Sequence, residues 1–211
     1  MKDAPTFIEE ERLWSRGYKL VAGIDEVGRG PLAGPVVAGA VILSSENDLS
    51  WLSQVRDSKI LSRKRREFLA DCIHREAIAV GIGMATHEEI DLYGIVGATR
   101  RAMCDAVAQL LRHPDSLLID AVVLPELEIH QKSIIKGDSL SLSIAAASIV
   151  AKVYRDRLMM EYDVLYPGFG FARNMGYPTK EHMENLVRIG CCPIHRSSFG
   201  PVRRILEKYG G

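Results

Sequence analysis

Read from the N-terminus, the apolar positions change period several times. Residues 7–16 mix Phe7 and Trp14 with Glu and Arg, the pattern of a short leading helix. Tyr18–Ile24 and Val36–Leu43 are runs of Val, Ile and Ala, which predict strands on either side of a Gly/Pro-rich bend. Ser44–Trp51 is polar and reads as a loop. Ser62 stands at an N-cap position before RKRREFLADCIHREA, which reads as a helix. Ile78–Ala85 alternates small and apolar residues, as a third strand would. Thr86 and Glu89 have the spacing of a capping box for a short helix. Val96, Thr99, Met103, Ala106, Val107 and Leu110 then recur at helical spacing until His113–Pro114 stops the helix. Leu117–Asp120 and Ser133–Ile135 predict short strands. A long helix over Ser143 to Leu165 ends at Pro167–Gly168. A Gly-rich loop leads to a helix from Thr179 to Ile189, and a last one covers Pro201–Tyr209.

Strands come first and then alternate with helices, which predicts an α/β protein with a mixed central sheet flanked by helices. The final residues carry no strand pattern. The expected organisation is a main α/β unit over 1–165, with its leading helix in 1–17, and a C-terminal helical segment over 166–211. At 211 residues, with 47% hydrophobic positions, the chain can bury a core of useful size. Lys+Arg and Asp+Glu both total 27, so a uniformly basic nucleic-acid binder is excluded, while a local basic patch is not.

Cys72, Cys104, Cys191 and Cys192 form no C-x-x-C pair and no zinc-finger spacing. The first residues, MKDAPTFIEEERLW, hold acids where a signal peptide has an apolar core. No apolar run spans a membrane. These features predict a cytoplasmic protein with free thiols, the Cys191–Cys192 neighbours serving as packing residues.

The stretch GIDEVGRGPLAGP, Gly23 to Pro35, places Asp25, Glu26 and Arg29 in a glycine-rich bend. One reading is a polar turn between strands. Another is a site, because Asp120 ends the strand LLID, Asp138 precedes the long helix, and sites gather at strand ends in open α/β sheets. Individually, Asp120 and Asp138 could equally be loop or capping acids. Together the carboxylates would repel one another unless cations neutralise them, and oxygen-only ligation suits Mg²⁺ or Mn²⁺. A pair of such ions can activate water against a phosphodiester. A competing match is GRGPLA, Gly28 to Ala33, which fits the dinucleotide fingerprint of a NAD-binding oxidoreductase. That motif needs a helix where VVAGAVIL reads as a strand.

From about Lys19 to Leu206 the chain resembles ribonuclease HII, the type 2 ribonuclease H family. The matching blocks are GIDEVGRGPLAGPVVAGAVIL, DSK at Asp57–Lys59, LLID at Leu117–Asp120, KGDSLSLSIAAASIVAKVYRD at Lys136–Asp156, GYPTKEH at Gly176–His182 and HRSSFGPV at His195–Val202. The resemblance implies an RNase H-like fold with a C-terminal helical appendage. It implies metal-dependent hydrolysis of RNA in RNA–DNA hybrids and incision 5′ to single ribonucleotides in duplex DNA, leaving 3′-hydroxyl and 5′-phosphate ends. The family's metal-binding acids fall on Asp25, Glu26, Asp120 and Asp138, with two ions expected during catalysis. Its junction-reading G-R-G falls on Gly28, Arg29 and Gly30, and its tyrosine on Tyr177. Glycines let the backbone approach the 2′-hydroxyl that marks RNA. Lys59, Lys152, Arg155, Lys180 and Arg196 are candidate phosphate contacts, whereas Arg63–Arg66 reads as an exposed helix face. His195 is either structural or near substrate. The chain departs from the family at Ala121, where glycine is usual, at Met175, where lysine is usual, and at Ile60, where a second lysine is frequent. The expected partners are RNA–DNA hybrid and ribonucleotide-containing duplex DNA. The protein is expected to act as a monomer, and the ending LEKYGG does not suggest a clamp-binding tail.

Overall fold

The computed structural model describes residues 4–44 and 50–209. Most of the polar loop expected over 44–51, and the last two residues of LEKYGG, lie outside them. The strands β1 (Val21–Val27), β2 (Val36–Ile42), β3 (Ala79–Ala85), β4 (Ser116–Asp120) and β5 (His130–Ile134) form one sheet in the order β3-β2-β1-β4-β5. β2 runs antiparallel to β1 and β3, while β1–β4 and β4–β5 are parallel. This is the mixed sheet expected from the pattern.

β2, and β1 as far as Ile24, are continuously apolar because both faces of the sheet are covered. On one face, Ala98, Ala102, Met103 and Ala106 of α3 (His87–Ala108) share a core with Ala22, Ile24, Ala38, Ala40 and Ile42. On the other, Ala145, Ala146, Ile149 and Val150 of α4 (Leu142–Leu165) join Val41 and the α2 (Arg63–Glu76) residues Leu69 and Ile73. The start of α4 sits directly on β1: a Cβ at Gly23 would run into the backbone of Ser143 and Ile144, so only glycine permits that approach. Helix α1 (Ile8–Trp14) pins the same end. Glu10 Oε1 accepts from Ser141 Oγ at 2.6 Å and from the Ser143 amide at 2.9 Å.

Local signals gave the helix starts. Ser62 accepts from the Arg65 amide, and Thr86 and Glu89 form both bonds of the capping box. Thr179 caps the helix that follows it. Other boundaries moved. The strand expected over Tyr18–Ile24 runs instead from Val21 to Val27, since Asp25, Glu26 and Val27 continue the ladder opposite Gly39, Ala38 and Val37. The two acids are therefore strand residues, not bend residues. β5 begins at His130 rather than Ser133, its polar residues held by pairing with β4. The two helices expected after Thr86 run together around a non-helical Gly94 (φ 70°, ψ 162°) and end at Ala108, short of His113.

The C-terminal helices α5 (Phe171–Asn174), α6 (Lys180–Ile189) and α7 (Gly200–Tyr209) gather around Phe169, Phe171, Leu186, Ile194 and Val202. That cluster also takes in Met159 of α4 and Leu32 and Ala33 of the bend after β1, so the C-terminal helices pack against the bend itself. Among the described residues no helix is long and apolar enough to cross a membrane.

Candidate active site

The sheet brings the four acids of the sequence to one end. Ile24 pairs with Ile119, so Asp25 and Asp120 follow in register on neighbouring parallel strands. Asp138 sits on the single 3-10 turn Gly137–Ser139 that enters α4. That turn is tied to β4 by the Gly137 amide, which donates to Asp120 Oδ1 at 2.7 Å. Asp25 and Asp138 are nearly inaccessible, at 4% and 6% exposure. Burial, then the Glu26 charge, pushes the Asp25 carboxyl well above the usual carboxylate range, with Asp120 adding to the effect. Burial also raises Glu26 and Asp120; Asp120 repels Glu26, and Asp138 repels Asp120.

Basic side chains answer part of that charge. Arg29 Nη1 donates to Glu26 Oε1 at 3.3 Å, and Lys59 Nζ donates to Asp138 Oδ2 at the same distance. For Lys59, burial works to lower the pKa but is outweighed by Asp138, Asp57 and Asp25. The DSK segment that carries Lys59 is anchored by a hydroxyl bond between Ser58 and Ser148 of α4 and by Arg66, whose Nη1 donates to Ser58 O. One group stays unanswered: Glu26 Oε2 is buried without a hydrogen-bond partner. Among the described residues no three His, Cys, Asp or Glu side chains are drawn together closely enough to hold an ion as they stand.

The bend beside the acids is held by two arginines with no exposed surface. Arg196 donates from Nε to Gly34 O at 2.9 Å, from Nη1 to Arg29 O at 3.0 Å and from Nη2 to Gly28 O at 2.6 Å. Arg155 donates to Pro35 O, Ala33 O and Met175 O. Burial lowers both guanidiniums, Arg155 to about 10 and Arg196, which also feels Arg155, to about 9, so both stay charged at neutral pH. Arg155 and Arg196 are therefore not surface phosphate contacts, as the sequence suggested; every carbonyl they hold is their own chain's. The sequence did carry a signal for Arg155. It follows Ala147 and Ala151 and precedes Met159 at four-residue steps, on the buried stripe of α4.

The two glycines of G-R-G differ. Gly28 has φ +95°, and a Cβ there would run into the Arg155 side chain, so the fold itself requires glycine. Gly30 is exposed, lacks a positive φ, and a Cβ there would lie 3.4 Å from Tyr177 Cε1, an ordinary contact. Packing in the free protein gives no reason for glycine at that position. Tyr177 faces Gly30 from the turn before α6, with its side chain partly exposed. That turn is stitched to the bend, since the Leu32 amide donates to Gly176 O at 2.8 Å.

Lys152 lies half-buried on α4, and its ammonium donates to Asp156 Oδ1 at 2.7 Å. Lys180 is exposed and pairs loosely with Glu184. Ala121 and Met175, two of the departures from the family pattern, both have φ 51°, a left-handed backbone that an L side chain occupies with strain. Ile60 is largely exposed beside Lys59. The dinucleotide reading of GRGPLA fails on its own condition, since Val36 opens a strand where a helix was needed.

A mixed five-stranded sheet, helices on both faces and acids gathered at the ends of β1 and β4 define an enzyme of the RNase H-like class. The family model for ribonuclease HII matches residues 22–202, and the chain belongs to that family. The chain is 56% identical over 194 residues to the ribonuclease HII of Listeria monocytogenes serovar 1/2a, covering 92% of this chain and 73% of that protein. It is 47% identical over 203 residues to that of Dehalococcoides mccartyi, covering 96% of each. The crystal structure of ribonuclease H2 from Pyrococcus horikoshii superposes with a TM-score of 0.73 at 28% identity, over 89% of this chain and 97% of that one. The protein is accordingly a type 2 ribonuclease H, a hydrolase that cuts the RNA strand of RNA–DNA hybrids.

Proposed function

We propose that this ribonuclease is metal-dependent and that it also incises duplex DNA 5′ to a single embedded ribonucleotide. The observation that carries the reading is the junction of β1 with the bend: Glu26 near the strand end lies within a few residues of Arg29 and Gly30, and Tyr177 packs beside Gly30. Reading and cutting would then act on the same nucleotide. Gly30 leaves its backbone open to the ribose, where amide and carbonyl groups can bond the 2′-hydroxyl. Tyr177 covers the sugar that follows, and a 2′-hydroxyl there would crowd or desolvate against the ring.

Asp25, Glu26, Asp120 and Asp138 would hold the metal. Their oxygen-only donor set, the partnerless Glu26 Oε2 and the raised carboxyls fit a hard divalent cation such as Mg²⁺ or Mn²⁺. When bound, a pair of such ions supplies water activation and leaving-group stabilisation. Arg29 and Lys59, which rest on Glu26 and Asp138, would then be free to turn to substrate phosphates. Lys152 would have to leave Asp156 to do the same. Water adds to phosphorus and the bond to the upstream 3′-oxygen breaks, so the products are a 3′-hydroxyl and a 5′-phosphate. The free cysteines support a reducing, cytoplasmic setting.

The test is cleavage of duplex DNA containing one ribonucleotide, with Mg²⁺, with Mn²⁺ and with chelator, and mapping of the product ends. Incision on the 5′ side that needs metal supports the reading. Cutting of an RNA–DNA hybrid with no incision at the single ribonucleotide would remove the junction reading, and full activity in chelator would remove the metal.

A further inference from the structure

Behind Tyr177 lies a pair of buried histidines. His182 and His195 face each other with Nε2 to Nε2 at 3.1 Å, and neither has appreciable exposed surface. His182 Nδ1 meets Tyr177 O at 2.9 Å. His195 Nδ1 lies 3.0 Å from the Cys192 amide nitrogen, 3.1 Å from Cys192 Sγ and 3.2 Å from Cys192 O. Phe169 packs edge-on against both rings, and Phe171 packs edge-on against His182 and tilted against His195, which shields the contact from water.

Two carbonyls compete for a ring hydrogen, Tyr177 O at 2.9 Å from His182 Nδ1 and Cys192 O at 3.2 Å from His195 Nδ1, and the closer one decides the arrangement of protons. A carbonyl only accepts, so His182 Nδ1 must carry hydrogen and donate to Tyr177 O. His182 Nε2 is then the acceptor, and His195 Nε2 carries the hydrogen between the rings. His195 Nδ1 is left with a lone pair, which receives the Cys192 N–H. The chain of bonds runs without a break from the Tyr177 turn to the loop that ends at His195. Burial, and then the neighbouring His182, pushes His195 down to about 4, so the arrangement is the neutral one.

Each end of this chain is fixed to one half of the reader. The Tyr177 end presents the ring to Gly30. At the other end His195 bridges to Ala33, and the next residue is Arg196, which holds the carbonyls of Gly28, Arg29 and Gly34. We infer that the His182–His195 couple is a positioning element that sets the gap between Tyr177 and Gly30, and through that gap the preference for a ribonucleotide followed by deoxyribose over an all-RNA strand. This rests on the reading of Tyr177 proposed above. A sugar-wide slot works only if its walls cannot part, and a small misplacement of a positioning group costs up to roughly a hundredfold in rate.

The test separates the two bonds of His182 in the full-length protein. In His182→Asn the amide nitrogen stands near the position of Nδ1 and keeps the Tyr177 carbonyl but falls short of His195. His182→Gln reaches His195 and gives up the carbonyl. The readout is the ratio of kcat/KM on a single embedded ribonucleotide to kcat/KM on an all-RNA strand paired with DNA. Both variants are expected to lower that ratio about fivefold to tenfold while hybrid cleavage stays within about twofold. An unchanged ratio, or a common loss on both substrates with a lowered melting temperature, would overturn the inference. Tyr177→Ala is the control. If it leaves the ratio unchanged, the reading of Tyr177 has failed and takes the inference with it; if it shifts the ratio and the His182 variants do not, only the couple's role is lost. A second measurement needs no variant. Long-range ¹H–¹⁵N spectra of the wild-type protein between about pH 6 and 8 should show His182 protonated at Nδ1 and His195 at Nε2. The opposite tautomers, or rapid interchange between them, would equally overturn it.

Discussion

Near the end of β1, Glu26 keeps a buried carboxylate oxygen without a partner, whereas in the bend that follows each guanidinium nitrogen of Arg196 has a carbonyl, that of Gly34, Arg29 or Gly28. The acid end holds like charges in partial burial and answers them only with Arg29 and Lys59, both of which keep exposed side chains. The bend holds cations in deeper burial and satisfies them. One region satisfies its buried polar groups by itself, and the other leaves a buried carboxylate oxygen unsatisfied. On the function proposed above, that difference would separate rigid recognition from chemistry that needs an exchangeable ion, within one stretch of chain.

The comparison can be broken most forcefully at the acids. Asp120→Asn keeps the shape and removes a charge and a strong ligand. Hybrid cleavage should fall by about 10³-fold or more while binding of hybrid survives. Measured turnover close to wild type in Mg²⁺ would take Asp120 out of the site. The next largest effect belongs to the bend. Arg196→Met leaves three carbonyls without donors and should cost about 3 kcal/mol or more of stability, read from urea unfolding. A loss below about 1 kcal/mol would mean that water can replace the guanidinium.

The reach of sequence reading follows the same division. The caps at Ser62, Thr86 and Thr179 are decided by residues a turn away, and each was legible. The placement of the four acids at one end of the sheet was legible through strand-end position and family motif. The end of β1 was not, because Asp and Glu look like turn residues and only pairing with the distant β2 keeps them extended. Arg155 and Arg196 were misread because an arginine is ordinarily a surface residue, and their burial depends on carbonyls more than a hundred positions away. The His182–His195 contact is likewise tertiary. In the sequence those histidines showed no spacing that would join them.

The pH dependence should set the two regions against each other. His195 sits near 4 when folded against an ordinary 6.5, so the unfolded chain binds the extra proton between those values. Its contribution is full above about pH 6.5 and is lost as pH falls toward 4, up to about 3 kcal/mol. Asp25 has the opposite sign. Its folded carboxyl is raised, so its contribution favours the fold at low pH and is lost as pH rises through the folded value. His195→Gln should flatten the acid limb of a stability–pH curve, and Asp25→Asn should flatten the upper limb in metal-free buffer. A His195→Gln curve that keeps the full acid limb would assign that limb elsewhere.

The smallest change in stability is the sharpest contrast within the bend. Gly30→Ala should leave melting within about 0.5 kcal/mol, because its Cβ meets Tyr177 at an ordinary distance. It should nevertheless lower incision at a single ribonucleotide. Gly28→Ala should do the reverse of the first part, with lost stability from the positive φ and the Arg155 side chain. Equal melting of the two variants would contradict the distinction between them.

The bond from Arg196 to Gly28 also sets a timetable. It joins positions 168 residues apart, and closing so long a loop is slow. As the chain leaves the ribosome, the acids at 25, 26, 120 and 138 emerge well before the HRSSF segment that secures the bend. Synthesis therefore delivers the four acids first and the clamp on the bend later. A nascent chain interrupted before Arg196 carries all four acids beside a bend whose clamp has not yet been made.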